Sequence, residues 1–249
     1  MMIEVENLSF RYPDGTRALS HVHLNIQSGE TVLIAGPNGS GKTTLARHFN
    51  ALYLPTEGSV RVKGVPTHQD ELHARLHVGM VFQNPDDQIV GSTVENDIAF
   101  GPENLKLSPS DVGERVEEAI QIMRLNDLRD RSPHLLSEGQ KRRVAIAGVL
   151  AMKPECIVFD ELLSGLDLPS RTSLIDELIK LKGLGYTLVV LCTDLEDIWC
   201  LADRLVIMRN GSIVKKGNPS KLILKGVESH GVREPVIFKL FRSLREADG

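Results

Sequence analysis

Apolar and polar positions alternate over parts of residues 2–26, with Ala18, Ser20, Val22, Leu24 and Ile26 on one face, as in half-buried antiparallel strands. His21 and His23 fall on the outer, solvated face of that pattern. The pattern changes after Thr31. Val32-Leu33-Ile34-Ala35 is apolar throughout, and a Gly-rich turn then leads into a helical stretch over residues 43–52. Two further unbroken runs follow, Cys156-Ile157-Val158-Phe159 and Leu188-Val189-Val190-Leu191, with helix-length segments over residues 139–151, 170–183 and 194–202. Continuous apolar strands alternating with helices predict a parallel sheet covered on both faces. Residues 93–135 read as mainly helical. The expected fold is α/β, a parallel-sheet core with an N-terminal antiparallel β layer and a helical insertion. With no repeat, low-complexity tract or linker, the chain reads as one domain over residues 1–249: residues 1–92 and 152–225 as core, 93–151 as a helical subdomain, and 226–249 as a short C-terminal helix.

Composition narrows the partners. Against 29 Lys and Arg stand 33 Asp and Glu, a net charge of -4, so no nucleic acid partner is expected. Aromatic residues at 4% are too few for a base-stacking platform. No apolar run reaches the ~18 residues that span a bilayer. Glu4 and Glu6 stand where a signal peptide carries basic residues. Cys156, Cys192 and Cys200 are odd in number and lack metal-ligand spacing. These features point to a soluble protein of a reducing, cytoplasmic compartment.

Gly36-Pro37-Asn38-Gly39-Ser40-Gly41-Lys42-Thr43, followed by Thr44, fits G-x-x-x-x-G-K-[ST] between a strand and a helix. Glycines let successive backbone N–H groups point at one anion, and the helix N-terminus adds positive potential. Lys42 is placed to reach the β- and γ-phosphates, and Thr43 to ligate Mg²⁺. The strand over residues 156–159 ends in Asp160 and Glu161. Ligands sit at the carboxyl ends of parallel strands, so Asp160 is a candidate to hold magnesium through water. Glu161 is a candidate general base that polarises an attacking water.

Leu136-Ser137-Glu138-Gly139-Gln140, followed by Lys141-Arg142-Arg143 and an Ala-rich helix, resembles the signature motif of ABC-transporter ATPases. The resemblance covers nearly the whole chain. It implies the P-loop NTPase core of the ABC ATPase fold, with ATP and Mg²⁺ as cofactors. Tyr12 resembles the family's adenine-stacking aromatic residue. Gln83 resembles its Q-loop glutamine, a magnesium ligand and link to a membrane partner, and Ser164-Gly165-Leu166-Asp167 resembles its D-loop. The stretches QNPDDQ at 83–88 and TVENDIAFGPENL at 93–105 are similar to energy-coupling-factor importer ATPases, including those of cobalt and nickel uptake.

Ser137 and Gln140 have capping-box spacing at a helix start. In the family, Ser137, the Gly139 N–H and the helix N-terminus with Gln140 would face the γ-phosphate held by a second subunit. A head-to-tail ATPase dimer, homo- or heteromeric, is then implied, closing on ATP and released by hydrolysis. It would lie peripherally on the inner face of the cell membrane and drive integral membrane transporter subunits. The cargo, a metal ion or a vitamin, is chosen by a different subunit.

Three departures stand out. Glu138 replaces a usual Gly, and its carboxylate repels phosphate unless it turns away. Leu162-Leu163 replaces Pro-Thr after the acid. Thr193 stands at the position of the γ-phosphate histidine, and residues 181–203 contain no histidine. Threonine offers one hydroxyl donor on a shorter arm and is never cationic. Slow hydrolysis at this chain's own phosphate loop is expected. Either a second, different ATPase completes the competent site, or a homodimer tolerates the substitution.

Lesser signals remain. His73 and His77 share a helical face but lack a third metal ligand, and read as solvated. Asp86 and Asp87 are either solvated or meet basic residues of a membrane partner. Residues 233–245 form an amphipathic helix through Val236, Ile237, Leu240 and Leu244, which either dimerises or covers the domain. Two other functions stand beside the importer motor: a degenerate ATP-binding partner, and a soluble ABC-type ATPase acting on nucleic acid or ribosomes. The stretch from Lys42 to Ser137 is too short for the coiled coils of chromosome-type members, and only one cassette is present. Metabolic kinases share the phosphate loop without needing the signature helix.

Overall fold

The computed structural model describes residues 1–247, so residues 248 and 249 of the expected C-terminal stretch lie outside the described residues. The chain runs β1 (Ile3–Arg11), β2 (Arg17–Ile26), β3 (Thr31–Ala35), α1 (Lys42–Phe49), β4 (Glu57–Val62), β5 (Val65–Pro66), α2 (Glu71–His77) and β6 (Val78–Val81). It continues through α3 (Val94–Asn104), α4 (Pro109–Met123), α5 (Glu138–Ala151), β7 (Cys156–Asp160), α6 (Leu168–Gly183) and β8 (Thr187–Cys192). The last elements are β9 (Arg204–Arg209), β10 (Ser212–Gly217), α7 (Pro219–Leu224) and α8 (Val236–Ala247).

The three apolar runs are β3, β7 and β8, buried at every position. They lie in a six-stranded sheet ordered β10-β9-β3-β8-β7-β6, parallel from β9 to β6 with β10 antiparallel at the edge. Strand alternation divides the core between the two faces. Val32, Ile34, Val189 and Leu191 face α1, through Leu45 and Phe49, and the second sheet. Leu33, Ala35, Val190 and Phe159 face α5 and α6, through Val144, Leu174 and Leu178. The second sheet is the expected antiparallel layer, ordered β2-β1-β4-β5. Helices α3, α4 and α5 pack on one another through Val94, Ile98, Ala119, Met123 and Ile146. Each begins on a side-chain cap: Thr93, Ser108 and Ser137.

Some expectations need correction. In β2 the buried face is Leu19, Val22, Leu24 and Ile26, while Ala18 and Ser20 leave it. His21 takes a left-handed φ of 48° where the register with β1 slips, and the bulge reverses the alternation. His21 and His23 are exposed. Residues 194–202 form no helix beyond one 3-10 turn, Trp199–Leu201. The reason is a C-terminal strap. The Arg233 N–H donates to Thr193 O (3.2 Å), the Leu195 N–H donates to Arg233 O (3.0 Å), and the Asp194 carboxylate accepts from the Glu196 N–H (2.8 Å). The backbone of residues 193–195 is therefore committed to a bridge, and only short turns follow it.

The same strap meets the phosphate loop, where a Cβ on Gly231 (φ 77°) would lie 3.1 Å from Pro37 Cγ. Glu234, fully buried, pairs with Arg242 of α8, and Glu196 caps the Val236 N–H at 2.9 Å. Of the amphipathic stripe, Val236, Ile237, Leu240 and Leu244 are all exposed, so that stripe does not cover the domain. Phe238 of α8 is buried, edge-on to Trp199.

Candidate functional site

The loop between β3 and α1 curls because Gly39 (φ 75°) and Gly41 (φ 98°) take left-handed conformations. A Cβ on Gly41 would sit 2.9 Å from Ala18 O, so β2 leaves room for glycine only. The Gly211 N–H at the β9–β10 turn donates to Ser40 O at 3.0 Å and fixes the loop from the other side. Lys42, buried, donates through Nζ to Gly36 O (2.7 Å) and Pro37 O (3.3 Å), and stands 3.4 Å from Glu161 Oε1. Ser40 is buried with its Oγ unpartnered. A left-handed glycine loop at a helix N-terminus, with a lysine parked on carbonyls, is suited to a phosphate chain, which would give Ser40 Oγ its missing partner and Lys42 an anion in place of the carbonyls.

The ends of β7 and β8 deliver the acids. Thr43 Oγ1 donates to Asp160 Oδ1 at 3.1 Å. Burial pushes the Asp160 carboxyl above its ordinary pKa, opposed by the Thr43 hydrogen bond and by Arg47 and Lys42. Burial likewise raises Glu161, with Lys42 opposing. Thr193 Oγ1 donates to Glu161 Oε2 at 3.5 Å. Residues 38–44, Gln83 and Glu161 enclose one cavity of about 240 Å³. The Tyr12 and Thr44 hydroxyls share a 2.8 Å hydrogen bond, and the Tyr12 ring stands edge-on to Phe10. Thus Tyr12, the phosphate loop, Gln83, Asp160, Glu161 and Thr193 come together. The oxygens of Thr43, Asp160 and Gln83 are a donor set suited to Mg²⁺.

Ser137, Gly139 and Gln140 are not part of that cavity. They line a second one of about 220 Å³ with Arg143, Pro169 and Ser170. The capping box is formed: the Gln140 N–H donates to Ser137 Oγ (3.3 Å) and the Ser137 N–H to Gln140 Oε1 (3.0 Å). Asp167 caps α6 through the Ser170 N–H (3.0 Å), which holds its carboxyl below the usual range. The Glu138 carboxylate stands 3.5 Å from Lys141 Nζ along its own helix. Lys141 also grips Asp86 at 2.8 and 3.0 Å. Asp86 is therefore neither simply solvated nor free, and it ties the segment after Gln83 to α5. His73 and His77 are half-buried with rings edge to face at 4.2 Å, and His73 bonds Val62 O, a correction to the solvated reading.

Arg142 has a role that its sequence position after the signature segment does not announce. It is 7% exposed, and its Nη1 and Nη2 donate to Leu162 O and Ser164 O. Leu162 is buried. The helical spacing of Arg142, Ile146 and Val149 on one face was the available signal.

The ABC transporter family profile matches residues 19–164. The energy-coupling factor transporter ATP-binding protein EcfA of Methanocaldococcus jannaschii is 40% identical over 99% of this chain and 90% of its own length. EcfA1 of Clostridium novyi is 44% identical over 89% of this chain and 81% of its own. Among solved structures, cbiO1 from Clostridium perfringens, part of the ABC transporter complex cbiONQ, superposes with a TM-score of 0.83 at 33% identity, covering 97% and 98% of the two chains. The ATP-binding cassette MJ0796, solved as a dimer bound to ADP and Pi, gives 0.78 at 29% identity, covering 88% and 99%. On this fold and these likenesses, the chain belongs to the ABC transporter family, as an ATPase of the energy-coupling-factor type whose ATP hydrolysis is coupled to transmembrane transport.

Proposed function

We propose that this chain is the motor subunit of a metal-ion or vitamin importer, working peripherally on the inner membrane face as half of a head-to-tail ATPase dimer. The observation that carries it is the division of the candidate residues between two cavities. One holds residues 38–44 with Gln83 and Glu161, the other Ser137, Gly139 and Gln140. A second ATPase chain, turned head to tail, brings one against the other. Residues 93–151 then act as a helical subdomain carrying the signature segment across the dimer.

Residues 36–44 bind the phosphates of ATP and Tyr12 takes the adenine. Thr43, Gln83 and Asp160 hold Mg²⁺, which when bound neutralises charge on the β- and γ-phosphate oxygens. Lys42 leaves Gly36 O and Pro37 O for the phosphates. Glu161, thereby released from Lys42, orients a water and accepts its proton. Ser137 and the Gly139 N–H face the partner's γ-phosphate, and Asp167 lies at the same interface. Exposed Val90, Phe100 and Leu135 offer an apolar surface for the membrane subunit. The segment from Gln83 is linked to it, because Asp97 accepts from the Val90 and Gly91 N–H groups at 2.7 and 2.8 Å.

Thr193 weakens hydrolysis at this chain's own site. Its hydroxyl is turned to Glu161, where a longer, chargeable arm would reach the phosphate. A different ATPase partner therefore supplies the faster site. The test is steady-state MgATP hydrolysis by the chain with Thr193→His and Glu161→Gln. The expected result is a slow parent, a rise of roughly 10- to 100-fold for Thr193→His, and a fall of at least about 100-fold for Glu161→Gln. A fast parent unchanged by Thr193→His refutes the weakened site and leaves the homodimer.

A further inference from the structure

Glu161 has a left-handed φ of 50°. For a residue with a Cβ, such a conformation at a functional site persists only where its surroundings over-determine it. Two bonds fix the turn directly: the Glu161 N–H donates to Leu191 O at 3.1 Å, and the Ser164 N–H donates to Glu161 O at 3.0 Å. The carbonyls of Leu162 and Ser164, which follow Glu161 in the turn, are both held by Arg142, the latter at 2.6 Å.

Arg142 is an unusual holder. It is buried, its Nε has no hydrogen-bond partner among the described residues, and it takes part in no ion pair among them. Burial lowers its pKa, with Glu138 opposing from the preceding turn. A buried guanidinium facing only carbonyl dipoles is a costly choice for a helix that could carry an apolar residue there. What it supplies is geometry, because the planar fork spans two carbonyls at a fixed separation.

We propose that Arg142 is a positioning residue for Glu161, and that it joins the two nucleotide sites of the dimer mechanically. It stands two residues past Gln140 on α5, the helix that carries Ser137 and Gly139. A movement of α5 against one nucleotide is passed by Arg142 to the turn that aims Glu161 at the other. The inference rests on the reading of Glu161 as the water-orienting acid.

The experiment compares the full chain with Arg142→Gln, Arg142→Lys and Glu161→Gln, measuring kcat and KM for MgATP, the Kd of a fluorescent ATP analogue, and the pH dependence of kcat. Arg142→Gln is expected to lower kcat about 10-fold or more, with KM and Kd within about twofold of the parent. The acid limb of kcat should shift as the surroundings of Glu161 loosen. Arg142→Lys, which reaches one carbonyl, recovers part of the loss, and it decides the matter if the Gln variant does not fold. Both Arg142 variants within about twofold of the parent kcat, beside an inactive Glu161→Gln, overturn the inference alone. Equal losses of kcat and nucleotide binding also overturn it, as the mark of general damage. An active Glu161→Gln removes the reading on which it stands.

Discussion

Glu177 offers a measurable cost inside the fold. It lies on α6, is 4% exposed, and neither carboxylate oxygen has a hydrogen-bond partner among the described residues. Burial pushes its pKa from 4.5 to about 7, although Arg143, Arg124 and Lys180 pull it down, and Asp176 adds a small push upward. The folded chain thus holds this proton more tightly than the unfolded chain. The stabilisation is complete below pH 4.5 and is lost as pH rises through about 7. The gap between those values corresponds to about 3 kcal/mol, an upper figure because side chains and water relax around a buried charge. Glu177→Gln keeps the shape and removes the titration. In urea unfolding, the variant should match the parent within about 1 kcal/mol at pH 5 and exceed it by about 1–3 kcal/mol at pH 8. A difference that is the same at both pH values refutes the assignment of a buried, ionising Glu177.

The raised carboxyl of Glu161 predicts that the acid limb of hydrolysis lies above the ordinary carboxylate range; a pH–rate profile falling only below pH ~4.3 contradicts it. Tyr12→Ala should raise KM for ATP about three- to tenfold through lost ring contact, whereas Tyr12→Phe, which gives up only the Thr44 hydrogen bond, should stay within about twofold of the parent; a coloured thiol-free ATPase assay distinguishes them. Thiol titration of the native chain should find Cys200 alone reactive, because Cys156 and Cys192 are buried and burial pushes the Cys192 thiol up to about 12. Fast labelling of all three before unfolding refutes that burial.

The parts legible in the sequence share a physical cause. Val32, Val158 and Val190 are covered on both faces, so their strands are apolar without interruption, and the phosphate-loop glycines answer local backbone demands. The capping box of Ser137 and Gln140 closes within one helical turn. What escaped depends on distant partners. Strand β10 is only half-buried and carries Lys215 and Lys216, so it has little apolar pattern. Residues 194–202 have helical composition, but the Leu195 N–H goes to Arg233 O and the rest of the segment closes only short turns, an outcome no local pattern announces. The grip of Lys141 on Asp86 joins residues far apart in the chain, as does Arg142 on Leu162. The candidate site was therefore legible as a set of residues, while the contacts that orient them were not.

The strap from Gly231 to Val236 changes what counts as the smallest working cassette. The last strand of the core, β10, is a tempting place to end an engineered chain or to join a chimera. A cut there would strip the backbone partner from Thr193 and Leu195 and the neighbour from Pro37 of the phosphate loop. Exchanging C-terminal segments between related ATPases would accordingly transplant part of the frame around Thr193 and the phosphate loop along with the tail.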